Sequence, residues 1–115
     1  MEVTILYFLD LINNVKIYHW KTRSYAEHIA SDTLHGKLSI GMDKFAEVFL
    51  GTSNDRFKIN ATLDISDKNK KGLCDKVKEF IAHLEHLRLA KDLSNIREEV
   101  IADCKQFLYL MTFDK

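Results

Sequence analysis

The residues of this sequence best suited to chemistry lie between His19 and Glu47. His28 and Asp32 are four positions apart, as are Asp43 and Glu47, and this spacing places both members of a pair on one face of a helix. Imidazole nitrogens and carboxylate oxygens are ligands that ferrous iron accepts, and such a mixed set leaves coordination positions open for an oxidant. We therefore predict a divalent metal site formed by His19, His28, Asp32, Asp43 and Glu47.

Helix geometry divides these residues into two half-sites. Asp32 and Asp43 are separated by about 16 Å along a helix that rises 1.5 Å per residue, whereas a metal–ligand bond is only about 2 Å long. One helix therefore cannot bring both ends of the run to one ion. Antiparallel pairing of two copies of this helix about a two-fold axis would place His28 and Asp32 of one subunit against Asp43 and Glu47 of the other.

The elements that must position these residues are helices. Apolar residues recur at steps of three and four along most of the chain, which predicts amphipathic helices over about residues 2–22, 25–50, 67–90 and 95–113. Ser24-x-x-Glu27 and Asn95-x-x-Glu98 have the form of capping boxes, and Gly51 is suited to closing the second helix. His19 lies at the end of the first apolar stripe and can approach His28 where the first two helices fold back.

The long connection over residues 52–66 has a different period. Its apolar residues alternate with polar ones, as in a strand, although an otherwise helical chain offers no partner strand. We predict an extended segment that packs over the helices or pairs with a second subunit. The chain as a whole, residues 1–115, is predicted to be one all-α domain: a four-helix bundle with a long crossover between helices two and three.

Composition excludes several functional classes. The 17 basic and 17 acidic side chains balance, which argues against a nucleic-acid-binding protein. No apolar run reaches the ~18 residues that a membrane span requires, and the first residues do not have the pattern of a signal peptide. The two cysteines do not form a disulfide framework, which favours an intracellular setting.

Structural interpretations compete with the metal site. The acidic residues of the second helix could form a solvated flank, with Asp43 paired to Lys44 or Lys37. The His19 ring could be satisfied by a backbone carbonyl. On the third helix, His83 and His86 with Glu79 could bind a surface metal, but their position off the apolar stripe favours simple solvent exposure.

The run from His19 to Glu47 also resembles a known family. His19-Trp20, His28-x-x-x-Asp32 and Asp43-x-x-x-Glu47 resemble the motifs of the Dps-type mini-ferritins, within the ferritin-like superfamily. That family places His-Trp near the end of its first helix and the other two motifs on its second. Residues 103–110 also resemble its final helix, and the short chain is similar to ferritin-like proteins of large DNA viruses and phages. The interval between His19 and His28 is shorter than in the family.

The resemblance implies a ferritin-like bundle that assembles through homodimers into a larger hollow shell. His19, His28, Asp32, Asp43 and Glu47 would bind iron between subunits, and Trp20 would donate an electron. Ferrous iron would be oxidised by peroxide or dioxygen and stored. The alternative is a non-catalytic structural or assembly protein with the same bundle, such as a viral particle component.

Overall fold

The computed structural model describes residues 1–113, and in this range every regular element is an α-helix. Helix α1 spans Glu2–Lys21, α2 spans Tyr25–Ser53, α3 spans Lys70–Glu85 and α4 spans Lys91–Leu110. The predicted all-α fold is confirmed. The absence of proline from the sequence is consistent with these uninterrupted helices, because an internal proline breaks the helical hydrogen-bond ladder.

The four helices form a bundle in which each helix packs against two neighbours. Helix α1 contacts α2 and α3, and helix α4 contacts the same two helices from the opposite side. Thr4 near the start of α1 meets His83 near the end of α3, and Lys21 at the end of α1 reaches the carbonyl of Lys68 just before α3. Helices α1 and α3 are therefore antiparallel, and the connection from α2 to α3 must cross the length of the bundle. This is the predicted long crossover, a connectivity that ferritin-like bundles also use.

The core lies along the bundle axis, where each helix contributes one fully buried phenylalanine: Phe8, Phe45, Phe80 and Phe107. The Phe8 ring packs edge-on against Phe80, with ring centroids 4.9 Å apart. Cys104 is also buried in this core, and burial raises the pKa of its thiol to about 12. Within residues 1–113, no helix combines the length and the apolar character needed to cross a membrane.

The helix ends differ from the prediction at several points. Ser24 caps α2 as predicted, since its side chain accepts a hydrogen bond from the backbone N–H of Glu27. The prediction that Gly51 closes α2 is wrong, because the helix continues to Ser53 and ends at Asn54 in the left-handed conformation. Helix α3 is shorter than predicted at both ends, and α4 begins at Lys91 rather than near Asn95.

The turn between α3 and α4 is closed by Arg97. Its guanidinium donates hydrogen bonds to the carbonyls of Leu84 and Leu87, at 3.2 and 2.5 Å, and to the hydroxyl of Ser94. The Leu84 carbonyl also accepts from the backbone N–H of Leu87, which lies just beyond the end of α3, so Arg97 adds a side-chain donor from the next helix. This bridge ties the end of α3 to the second turn of α4.

The crossover, residues 54–69, contains no strand despite its alternating pattern. Most of its side chains are exposed, and the Phe57 ring stacks on Phe49 of α2 at 6.0 Å between centroids. The backbone N–H of Lys58 donates to Glu2 of α1. The alternation thus does not produce a strand within the described chain, and the crossover is an extended segment over the bundle.

Candidate metal centre

His19 and His28 face each other across the turn between α1 and α2. Their rings are stacked, with centroids 3.8 Å apart and planes inclined by 18°. Nδ1 of His19 lies 2.9 Å from the backbone carbonyl oxygen of His28, and Nδ1 of His28 lies 2.9 Å from the carbonyl oxygen of His19. The structure thus brings together the two histidines that the sequence predicted to meet. It also shows the alternative expected for His19, a ring whose nitrogen is satisfied by a backbone carbonyl.

These two contacts assign the tautomers of both rings. A carbonyl oxygen only accepts, so each Nδ1 must carry the hydrogen. In the neutral ring the other nitrogen, Nε2, then keeps its lone pair and remains available to a metal. Metal-binding histidines commonly donate their second ring N–H to a carbonyl in this way, which fixes the ring and raises its basicity as a ligand.

The three carboxylates are exposed on the outer face of α2. Within residues 1–113, Asp32, Asp43 and Glu47 make no salt bridge, and no three His, Cys, Asp or Glu side chains are close enough to hold a metal together. The alternative pairing of Asp43 with Lys44 or Lys37 is not seen within residues 1–113, and Lys37 turns to α4 and contacts Asp103 and Gln106. A single subunit therefore presents two separate sets of groups, as helix length required.

The outer face of α2 also carries apolar side chains that the bundle leaves uncovered. Tyr25 is 75% exposed, Ile40 is 72% exposed and Ile29 is 46% exposed. All three lie on the same side of the helix as the carboxylates, by the 100° step of an α-helix. Exposed apolar side chains among charged groups on one helix face can mark an interaction surface.

Two glycines of α2 have different structural roles. A Cβ atom added to Gly41 would lie 2.8 Å from Cγ2 of Val100, so this glycine permits the close approach of α2 and α4. A Cβ added to Gly36 would meet nothing within 4 Å, although glycine destabilises a helix by about 1 kcal/mol relative to alanine. Packing within the chain therefore requires a glycine at position 41 but does not require one at position 36.

Trp20 is at the end of α1 and is 70% exposed. The ammonium group of Lys16 lies 5.7 Å from the centre of its indole ring, in a cation–π contact. Trp20 thus follows His19 in sequence but faces solvent, whereas His19 is buried against α2.

Comparisons with known proteins place the chain in a family. A family model described as a family of unknown function, DUF5856, matches residues 19–111. The chain belongs to this family. The match begins at His19 and covers the candidate metal ligands, so all of them are residues of the DUF5856 domain. No curated protein and no solved structure matches the chain.

His35 is a further residue of the DUF5856 domain near the histidine pair, and the sequence pattern assigned it no partner. It is half-buried on α2, one turn beyond Asp32. Burial lowers the pKa of its imidazole, as does the nearby positive charge of Lys16, while Asp32 opposes the shift. The spacing His28-x-x-x-Asp32-x-x-His35 places all three residues on one helical stripe and was the signal that could have identified it.

A buried polar network lies beside the histidine pair in this DUF5856 protein. The Tyr18 hydroxyl donates to Oε1 of Glu27 at 2.7 Å, and the Thr22 hydroxyl donates to the same oxygen at 2.8 Å. The ammonium group of Lys70 lies 3.2 Å from the other carboxylate oxygen. The capping-box pattern identified Glu27 only as a helix-start residue, and its partners could not be found from local sequence.

This network shifts the pKa of two groups. Burial alone would raise the pKa of the Glu27 carboxyl, but hydrogen bonds from Tyr18, Thr22 and Lys70 outweigh it and hold the pKa below its ordinary value. Burial, followed by the hydrogen bond to Glu27, raises the pKa of Tyr18 to about 12. Glu27 is therefore ionised and Tyr18 neutral at neutral pH.

The lowered pKa predicts acid-sensitive folding of the DUF5856 bundle. Because the folded state binds the Glu27 proton more weakly than the unfolded state, the stabilisation is present above the ordinary pKa of 4.5 and is lost as pH falls through the folded pKa. Glu27→Gln should cost about 1–3 kcal/mol in the free energy of unfolding at neutral pH, and the cost should shrink in acid. Urea unfolding at a series of pH values measures this, and the exposed Glu85→Gln provides the control. A cost that does not change with pH would contradict the prediction.

His83, which was predicted to be exposed, is instead half-buried. Its ring stacks on Tyr7 with centroids 4.0 Å apart, and its Nε2 lies 2.9 Å from the Thr4 hydroxyl. The interpretation as a solvent-exposed residue is therefore wrong for His83, because α1 supplies both contacts. Glu79 and His86 are exposed as expected.

Proposed function

We propose that this DUF5856 protein is a Dps-like mini-ferritin that binds ferrous iron between subunits and oxidises it with peroxide or dioxygen for storage and detoxification. The observation that carries the proposal is the reciprocal pair of His19 and His28. Each ring is held by a backbone carbonyl through Nδ1, and neither Nε2 has a hydrogen-bond partner within residues 1–113. Metal-binding histidines are commonly oriented in this way. Asp32 lies one helical turn beyond His28.

The remaining ligands are proposed to come from a second copy of the chain. Positions 28 and 47 are equally far from the midpoint between residues 37 and 38, and so are positions 32 and 43. An antiparallel pair of α2 helices centred there would bring His28 and Asp32 of one subunit opposite Glu47 and Asp43 of the other. Such an interface is isologous, so each dimer would contain two equivalent sites.

The exposed face of α2 supports the same register of the two antiparallel helices. Positions 36 and 40 are symmetric about residue 38, close to the centre that the ligands require. The exposed Ile40 of each subunit would then lie over Gly36 of the other, where the absent side chain leaves room. This contact gives Gly36 the function that packing within one subunit does not provide.

In this arrangement the protein residues have distinct tasks. The two imidazoles, through Nε2, and the carboxylates would bind ferrous iron as substrate, and the mixed nitrogen and oxygen ligands would leave positions for the oxidant. The carboxylates would offset the positive charge that increases when iron loses an electron. Larger assembly into a cage would retain the ferric product. We further propose that the protein acts inside the cell, or in a virion, and does not bind nucleic acid.

Iron oxidation tests the proposal. Ferrous iron is added without oxygen, peroxide follows, and ferric absorbance is recorded for wild type, His28→Ala and His86→Ala. We expect the His28→Ala rate to fall more than about tenfold, because a ligand is lost, while the exposed His86→Ala control keeps the wild-type rate. A wild-type rate equal to that of buffer would reject ferroxidase activity.

A second candidate function is a non-catalytic structural or assembly protein, for example a viral particle component. The uncovered apolar stripe of α2 favours it, because Tyr25 and Ile40 require a partner whether or not metal is bound. Native mass and iron oxidation together separate the two functions. Self-association without iron oxidation would support the structural function.

A further inference from the structure

We propose that Lys70 of α3, acting through Glu27, sets the geometry of the pair of His19 and His28 and thereby its affinity for metal. The inference deepens the proposed function and rests on it, since metal binding at the pair belongs to that proposal. Lys70 would be a positioning residue, because its ammonium group contacts Glu27, which directly precedes His28 in the chain.

The geometry of the histidine pair depends on how α1 and α2 are placed. Each Nδ1 lies 2.9 Å from a carbonyl oxygen of the other helix, so both contacts cross the same gap between the two helices. An N–H···O bond in a protein is about 2.7–3.2 Å long, and a small displacement of one helix would therefore break both contacts together. The two rings would then no longer keep a fixed orientation.

The Glu27 carboxylate fixes this placement. Its Oε1 accepts hydrogen bonds from the hydroxyls of Tyr18 and Thr22, at 2.7 and 2.8 Å, and both donors lie at the end of α1. Its Oε2 lies 3.2 Å from the ammonium group of Lys70, the first residue of α3. One buried carboxylate thus joins the start of α2 to α1 on one side and to α3 on the other.

Lys70 is required for this link because a buried charge is costly unless it is paired. Within residues 1–113, Oε2 of Glu27 has no other hydrogen bond or ion pair. Without the ammonium group the carboxylate would turn toward water and away from Tyr18. Lys70 is itself held where α3 begins, since the side chain of Asn69 caps that helix by accepting from the N–H of Gly72.

The charge of Lys70 makes positioning distinguishable from simple electrostatics. Removing a cation near a metal site should strengthen metal binding by charge alone, because like charges repel, whereas loss of positioning should weaken it. Lys71 provides the matched control. It is the next residue of α3, its side chain is 84% exposed, and it pairs with Asp75 of the same helix.

Titration of the full chain with cobalt(II), followed by visible absorbance, measures metal affinity. We expect Lys70→Met to weaken cobalt binding about tenfold, the lower end of the loss when a contact that supports a metal ligand is removed. Lys70→Arg, which keeps the cation, should bind like wild type, and Lys71→Met should bind at least as tightly. Tyr18→Phe interrupts the same path with Lys70 in place, and it should also weaken binding.

Nitrogen-15 NMR of the imidazoles reports the geometry of the pair without metal. In the wild-type protein we expect both rings in the tautomer with hydrogen on Nδ1, and we expect that hydrogen to exchange slowly with water. Lys70→Met and Tyr18→Phe should lose the slow exchange, whereas Lys71→Met should keep it. Urea unfolding shows which variants remain folded, and the two substitutions on one path give independent readings.

Every other outcome overturns the inference. Imidazole signals and cobalt affinity that do not change in Lys70→Met and Tyr18→Phe would reject the positioning role and leave the proposed function intact. Stronger cobalt binding by Lys70→Met would assign Lys70 a purely electrostatic effect, and equal losses in Lys70→Met and Lys71→Met would show a general effect of charge. Absence of cobalt binding in the wild-type protein would reject the proposed metal site, and this inference with it.

Discussion

A mixture of His28→Ala and Glu47→Ala subunits should regain about one quarter of the wild-type iron-oxidation rate, although each variant alone is inactive. Random pairing makes half of the dimers mixed. In each mixed dimer, one site carries both substitutions and the other carries neither. The measurement is the rate of ferric absorbance after the variants are unfolded together, refolded and loaded with iron.

The matched control combines His28→Ala with Asp32→Ala. These residues lie in the same half-site, so every site of a mixed dimer retains one substitution and no activity should return. Recovery in this control, or none in the first mixture, would contradict a site shared across an antiparallel α2 interface. All three substitutions lie on α2, so the two mixtures differ only in which half-site each substitution occupies.

Replacing Gly36 by leucine should weaken the proposed dimer. The new side chain would occupy the space proposed for Ile40 of the other subunit, and the two-fold axis places the clash twice in every interface. Overpacking costs about 1–3 kcal/mol at each point, so the dimer dissociation constant should rise by at least about 25-fold. Sedimentation or native mass spectrometry over a range of concentrations measures this constant.

Gly51→Leu is the control for this substitution. Gly51 is also an exposed glycine of α2, and a Cβ added there would meet nothing within 4 Å, but it lies far from the proposed centre of the interface. It should leave the dissociation constant near that of wild type. Both leucines should leave the monomer folded, because leucine is a better helix former than glycine. Equal self-association of the two variants would place the interface elsewhere.

The periodicity of apolar residues was sufficient to predict the helices, because burial on one face selects the positions of Phe8, Phe45 and similar residues. The positions of the helix ends were harder to predict. Asn95 is a residue type suited to capping a helix, yet α4 begins earlier, at Lys91. The crossover alternates like a strand, but a strand requires a hydrogen-bonded neighbour that residues 1–113 do not supply.

The candidate site was predictable where it depends on local spacing. The contact of His19 with His28 follows from two helices joined by a tight turn, and the separation of the carboxylates follows from helix rise. The environment of Glu27 was not predictable, since Lys70 is distant in sequence and meets it only in the folded bundle. The different roles of Gly36 and Gly41 likewise depend on where α4 lies.

The backbone anchoring of the two imidazoles has a consequence for the order of assembly. A side chain that is free to rotate loses conformational entropy when it binds an ion, and this loss weakens affinity. His19 and His28 lose that freedom during folding, because each ring is fixed by the main chain of the neighbouring helix. The two imidazoles of the proposed half-site would thus be in position before any metal arrives. If the pair binds metal as proposed, metal need not template the folding of the chain, and the proposed partner and iron could bind in either order.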